Sequence, residues 1–148
     1  MAEHEFTTQE IAEHARGNAA ALILATIAYF NEQGGDAGAW MASVGEQFAL
    51  AWETSKQLGA RGAIDGIALN VVAFGGKLLH LEGNIAEAKA TFTDWPIAED
   101  LHYFGLTLAD ADTFWTIFQI ITDHLNLQYN WQREGDNVTI TLANREMS

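Results

Sequence analysis

From Ala19 to Phe30 the chain reads AAALILATIAYF, twelve residues that are apolar almost without a break, after a polar stretch that begins near Thr7. Thr7 and Glu10 stand at capping-box spacing, and Gly34-Gly35 is a stop signal, so a first helix is predicted from Thr7 to about Gln33. A helix apolar on every side has to be covered on several sides, and in a small domain a partner subunit is expected to do part of the covering. Asp36 is placed to cap a second helix running to about Leu58, along which Trp40, Val44, Phe48 and Trp52 recur every four residues. Gly59 and Gly62 interrupt it. A third helix follows over about Ala63 to Phe74, with Ile64, Ile67, Ala68, Val71 and Val72 along one side.

After Gly75-Gly76 the period changes from three or four to two. Lys77 to Pro96 reads as a β-hairpin with Gly83-Asn84 as a two-residue turn. In its first strand Leu79 and Leu81 are the core candidates, and His80 and Glu82 face the other way. In the second, Ala86, Ala88, Ala90 and Phe92 share one face, while Glu87, Lys89, Thr91 and Thr93 share the opposite one. Alanines where Val or Ile is usual leave room beside the sheet, to be taken up by a close helix backbone or by a pocket. Beyond Pro96 a short helix is predicted over Ile97 to Phe104. Thr107 caps another to about His124, with Ala111, Phe114, Trp115, Phe118 and Ile121 on its apolar side. Leu125, Leu127, Tyr129 and Trp131, then Val138, Ile140 and Leu142 across a Gly135-Asp136 turn, form a last hairpin. The expected fold is one α+β domain over residues 1–148, a helical N-terminal half packed on a four-stranded antiparallel sheet made of two β-hairpins.

Composition narrows the function classes. Twenty acidic against seven basic residues give a net charge of −13, and no Lys/Arg cluster is present to neutralise phosphates, so neither nucleic acid nor an anionic membrane surface is an expected partner. The chain has no cysteine, which removes thiolate nucleophiles, disulfides and sulfur-ligated metals. The acidic N-terminus is unlike a secretory leader, and the twelve-residue apolar run is shorter than the ~20 residues that cross a bilayer. A cytoplasmic location is expected. No GxGxxG, P-loop, GxSxG or HExxH motif occurs.

Candidate chemistry then reduces to a few side chains. His80 and Glu82, two apart on one strand face, have the residue types of a divalent-metal site or of a base with its orienter. A third metal ligand would come from Glu99, Asp100 or His102 beyond Pro96, with His102 the chosen candidate; no other cofactor is indicated. Asp94 continues the alanine face, where burial would raise a carboxyl pKa and fit it for acid–base work; its other reading is a cap on the following helix. Five tryptophans and three tyrosines are many for this length. Trp95, Tyr103, Trp115, Phe118 and Tyr129, with Ala86, Ala88, Ala90 and Phe92, are the residues expected to line a site for a flat apolar ligand. The alternative for each is ordinary core.

The order TFTDWP, then LADADTFWTIF, then LQYNWQREGDNVTITL resembles the small α+β domains grouped around the 2-amino-thiazoline-4-carboxylate hydrolase-like proteins and the vinyl-reductase-type hydrocarbon-sensing domains. The resemblance covers about Gly75 to Ala143 and implies a scaffold that encloses a small organic ligand. Where that group tends to carry cysteines, this chain has Asp94-Trp95 before Pro96 and Val138 after the last turn, so cysteine-dependent chemistry does not carry over. Three functions are therefore open. The first is a domain enclosing a small apolar or aromatic ligand between helices and sheet. The second is a hydrolase or lyase for a small cyclic substrate, using Asp94, His80 and His102. The third is a homodimeric interaction domain.

Overall fold

The computed structural model describes residues 5–145. Its elements in order are α1 (Thr8–Glu32), α2 (Ala37–Trp52), a 3-10 segment (Glu53–Leu58), α3 (Gly59–Ala73), β1 (Lys77–Gly83) and β2 (Glu87–Thr93). Then come α4 (Ala98–Phe104), α5 (Leu108–Ala111), a 3-10 turn (Asp112–Trp115), α6 (Thr116–His124), β3 (Leu127–Glu134) and β4 (Asn137–Asn144). The strands form one antiparallel sheet in the order β1-β2-β4-β3, so the two hairpins join through β2 and β4. This is the expected α+β class, with helices gathered mostly in the N-terminal half.

Local chemistry sets most boundaries as expected. The Thr7 side chain accepts from the Glu10 N–H while the Glu10 carboxylate accepts from the Thr7 N–H. Asp36 Oδ1 accepts from the Ala39 N–H at 3.0 Å and starts α2. Three predicted helices differ in their course. The second narrows to a 3-10 segment after Trp52, and α3 begins at Gly59 rather than Ala63. Gly59 has φ +61 and lies so close to the Ile85 carbonyl oxygen that a Cβ would collide with it, while the next residue, Ala60, donates its N–H to the same carbonyl at 2.9 Å. The helix capped by Thr107 is broken by the 3-10 turn Asp112–Trp115, which carries two of the largest core side chains, Phe114 and Trp115.

The first hairpin also departs from its simplest form. Asn84, Ile85 and Ala86 make a three-residue connection: Asn84 Oδ1 accepts from the N–H groups of Ala86 and Glu87, and its own N–H donates to Glu87. Ala86 therefore sits exposed in the turn and is not part of the alanine face. A register shift between Leu78 and His80 sets Leu78 against Phe92 and Leu81 against Ala90. It leaves Leu79, an expected core residue, exposed.

Helix α3 covers the inner face of the sheet. Ala60, Ala63, Ile64, Ile67, Ala68 and Val71 are buried on the helix, and Ala88, Ala90, Phe92, Val138, Ile140 and Leu142 on the strands. Small residues on both layers allow helix and strands to approach closely, as close-packed interiors require. Helix α2 crosses α6 at Gly45, where an added Cβ would stand 2.8 Å from Ile120 Cβ and 2.9 Å from the Ile117 carbonyl oxygen. Gly17, by contrast, faces open space. The outer face of the sheet carries no helix and is polar: His80, Glu82, Lys89, Thr91, Thr139, Thr141, Gln128, Asn130 and Gln132.

Candidate functional site

The room predicted beside the alanines is occupied. Ala88 and Ala90 are buried under α3, and Phe92 stacks against Trp115 with ring centroids 6.3 Å apart. Trp95 is held by its Nε1–H donating to the Phe74 carbonyl at 3.1 Å and by stacking on Phe114 at 4.1 Å. Trp115 and Phe118 belong to the same aromatic core. Tyr129 is mostly buried too, and its hydroxyl donates to the Trp115 carbonyl at 2.9 Å. Burial pushes its phenol pKa well above the usual value. Tyr103, expected to line the same space, is 80% exposed at the surface of α4. Most of the expected ligand-lining residues are thus brought together, but as core packed on itself.

The candidate acid–base and metal residues are at the surface and dispersed. His80 Nε2 is 3.3 Å from Glu82 Oε2, both side chains about half exposed on the outer sheet face. His102 is exposed on α4, as is Glu99; Asp100 is partly buried there. Among the described residues no group of three or more His, Cys, Asp or Glu side chains converges to hold a metal ion, so His80, Glu82 and His102 do not form the expected triad. Asp94 does not point into the interior. Its backbone has φ +60, which turns the half-exposed carboxylate out to Lys77 Nζ at 3.6 Å. Nor does it cap α4, which starts from Ile97 without a side-chain cap.

One buried polar cluster was missed in the sequence. Arg133 continues the inward series Leu127, Tyr129, Trp131 on β3, and its guanidinium grips Asp112 in a two-pronged pair, Nε to Oδ2 at 2.9 Å and Nη2 to Oδ1 at 2.6 Å. The two side chains are 13% and 14% exposed. Trp115 Nε1–H donates to the same Asp112 oxygen at 3.1 Å, and Arg133 Nη1 donates to the Gly135 carbonyl at 3.3 Å. The signal was available: a charged residue at an inward strand position requires a buried partner. All three nitrogens of the Arg133 guanidinium donate within the protein, so the cluster is a structural clamp between the 3-10 turn and β3.

A periodic row of exposed side chains lies on α1. Its inner side buries Ala20, Leu24 and Ile27 against the body of the domain. On the opposite side Thr8, Ile11, Ala15, Asn18, Leu22, Ala25, Tyr29 and Glu32 are all exposed. They are spaced alternately by three and four residues, the period of a two-helix seam. Ile11, Leu22 and Tyr29 are 58%, 69% and 60% exposed. Ala12, Ala19, Ala21 and Ala28 flank the seam and would let a second helix approach closely. From Thr8 to Asn18 nearly every side chain of α1 is exposed; these three turns touch the body sparingly, with the Arg16 carbonyl beside Gly75. Phe6, Ile11, Ala15 and Asn18, with Glu10, Glu13 and His14 at the rim, enclose an open hollow of about 530 Å³ on this part. The spacing was readable in the sequence, but the uniform apolarity of Ala19 to Phe30 hid which side was spare.

A second open hollow, of about 550 Å³, lies over the outer sheet face near the first hairpin turn, with Glu82, Glu87, Lys89, Gln128, Asn130 and Thr141 among its lining. Of the expected ligand-lining residues, Ala88 and Tyr129 line this hollow, and Ala90, Phe92 and Trp115 line neither. Among the described residues no helix is long and apolar enough to cross a membrane. Compared with known protein families and with curated proteins, the chain matches none of them.

Proposed function

We propose that this domain is a homodimeric interaction module that associates through the exposed seam of α1. The observation that carries this reading is the pairing of a filled interior with an exposed stripe on α1 that is apolar at Ile11, Ala15, Leu22, Ala25 and Tyr29. Three bare turns of helix have few tertiary contacts to hold them in water, because nucleation is costly and short helices are marginal alone. A second helix laid on the seam would supply the missing contacts. The test is native mass spectrometry of the protein purified from its host: a species near twice the 16.2 kDa chain mass is expected, and a monomer at micromolar concentration would refute the reading.

A second reading, a small-molecule-binding domain, is supported by the resemblance of Gly75 to Ala143 to ligand-enclosing α+β domains and by the hollow on the outer sheet face. A ligand there would need both polar and apolar groups, since the lining offers amides, two carboxylates and one ammonium beside Ala88, Tyr129, Leu142 and Ala143. The same mass spectrum tests it, through any small mass retained by the chain.

A further inference from the structure

The seam of α1 is complementary to itself when reversed. We infer that two copies pair their α1 helices antiparallel, with Ile11 facing the partner's Tyr29, Ala15 facing the partner's Ala25, and Asn18 facing the partner's Leu22. This rests on the reading of α1 as a self-association helix and adds its geometry. In this register small faces small at the Ala15 layer, where the two backbones can approach closely, and the Ile11 and Tyr29 side chains meet toward the two ends of the seam.

Three further observations favour the reversed pairing. First, the hollow formed by Phe6, Ile11, Ala15 and Asn18 lies where the partner's Tyr29 would arrive, an exposed aromatic knob for an open hole. Secondly, the acidic end of α1, with Glu5, Glu10 and Glu13, is set beside the C-terminal end of the other helix rather than beside its own copy. That keeps Glu10 and Glu13 away from their own copies, sets Glu32 opposite the partner's Thr8, and places the two helix dipoles antiparallel. Thirdly, the three exposed turns of each chain then lie along the C-terminal half of the partner's α1, which the partner's body supports. A parallel pair would leave both exposed ends supported mainly by each other.

A helix of 25 residues is about 37 Å long and about 10 Å wide, a footprint of about 370 Å² per subunit, which is at the small end for a specific interface and suits a reversible dimer. Asn18 opposite an apolar Leu22 costs affinity and fixes the register, as a lone polar residue does in helix pairs.

Single cysteines report the orientation, since the chain has none of its own. Ala15→Cys and Ala25→Cys variants, both at exposed positions, are mixed, allowed to exchange and oxidised. The antiparallel pair predicts a disulfide between the two variants and none within either alone, because two copies of residue 15 would stand about 15 Å apart along the axis, beyond the ~7 Å that a disulfide spans. Disulfides within each variant alone, and none between them, would overturn the orientation while leaving homodimerisation standing. Monomers by light scattering at 50 µM, with wild-type helicity by circular dichroism, would overturn both. In the same assay Leu22→Asp is expected to raise the dimer dissociation constant at least about 100-fold, since the twofold introduces each change twice, and Asn18→Leu to lower it about tenfold. An unchanged constant for Leu22→Asp refutes the seam.

Discussion

Replacing Asp112 by Ala leaves the Arg133 guanidinium charged, mostly enclosed and without its carboxylate. Both side chains are about six-sevenths shielded from water, so little of the interaction is screened. Breaking a buried pair by removing one partner costs about 3–5 kcal/mol, most of it the uncompensated charge left behind. Loss of the acceptor for Trp115 Nε1–H adds about 1 kcal/mol. For 148 residues the unfolding entropy near the midpoint is about 0.3 kcal/mol/K, so the melting temperature should fall by about 10–16 °C for the pair alone. Calorimetry on Asp112→Ala, Arg133→Met and the double variant, each at the same protein concentration, makes the measurement. The double variant should be less destabilised than the sum of the singles by about 2 kcal/mol or more, because it leaves no orphaned charge. A single-variant loss under 1 kcal/mol, with additive doubles, would refute the clamp and imply that water reaches the pair.

Other substitutions probe the remaining claims. Ala90→Ile should destabilise the domain by about 1–3 kcal/mol in urea unfolding, because α3 leaves no space above that Cβ; unchanged stability would restore the idea of a pocket. Gly45→Ala should cost a similar amount, since Ile120 and the Ile117 carbonyl stand within 3 Å of the new methyl, outweighing the ~1 kcal/mol gain in helix propensity. Tyr129→Phe should lose about 1 kcal/mol with its bond to Trp115. The raised folded pKa of Tyr129 also has a pH signature: its contribution is complete below the unfolded value of about 10 and is lost as pH rises through the higher folded value. The alkaline fall in wild-type stability should therefore be shallower in Tyr129→Phe.

Features set by neighbours a few residues apart could be read from the chain. The Thr7 capping box, the Asp36 cap, the alternation of β4 and the turn at Gly135-Asp136 are local chemistry, and the structure contains them. The row of alanines had two physical solutions, and nothing in residues 86–92 states which one a distant helix adopts; α3 decided it. One extra residue in β1 turned Leu79 outward, an effect of register that periodicity cannot reveal. Asp94 was placed by extending a strand one step too far, past the point where the backbone turns away, and Tyr103 by taking the outer side of α4 for its inner one. Arg133 and the α1 seam were legible as positions, yet needed the body of the domain to show that one was satisfied and the other spare.

The strand order has a consequence for how the chain reaches this state. Each hairpin closes between near neighbours, whereas β2 and β4 meet through pairs such as Thr91 and Thr139, 48 positions apart. Closing that larger loop costs about 2 kcal/mol more entropy than closing a hairpin. The two halves of the sheet can therefore appear early and separately, and the rate of folding is governed by their joining, once α6 and α3 have brought an arm of each hairpin onto the same side.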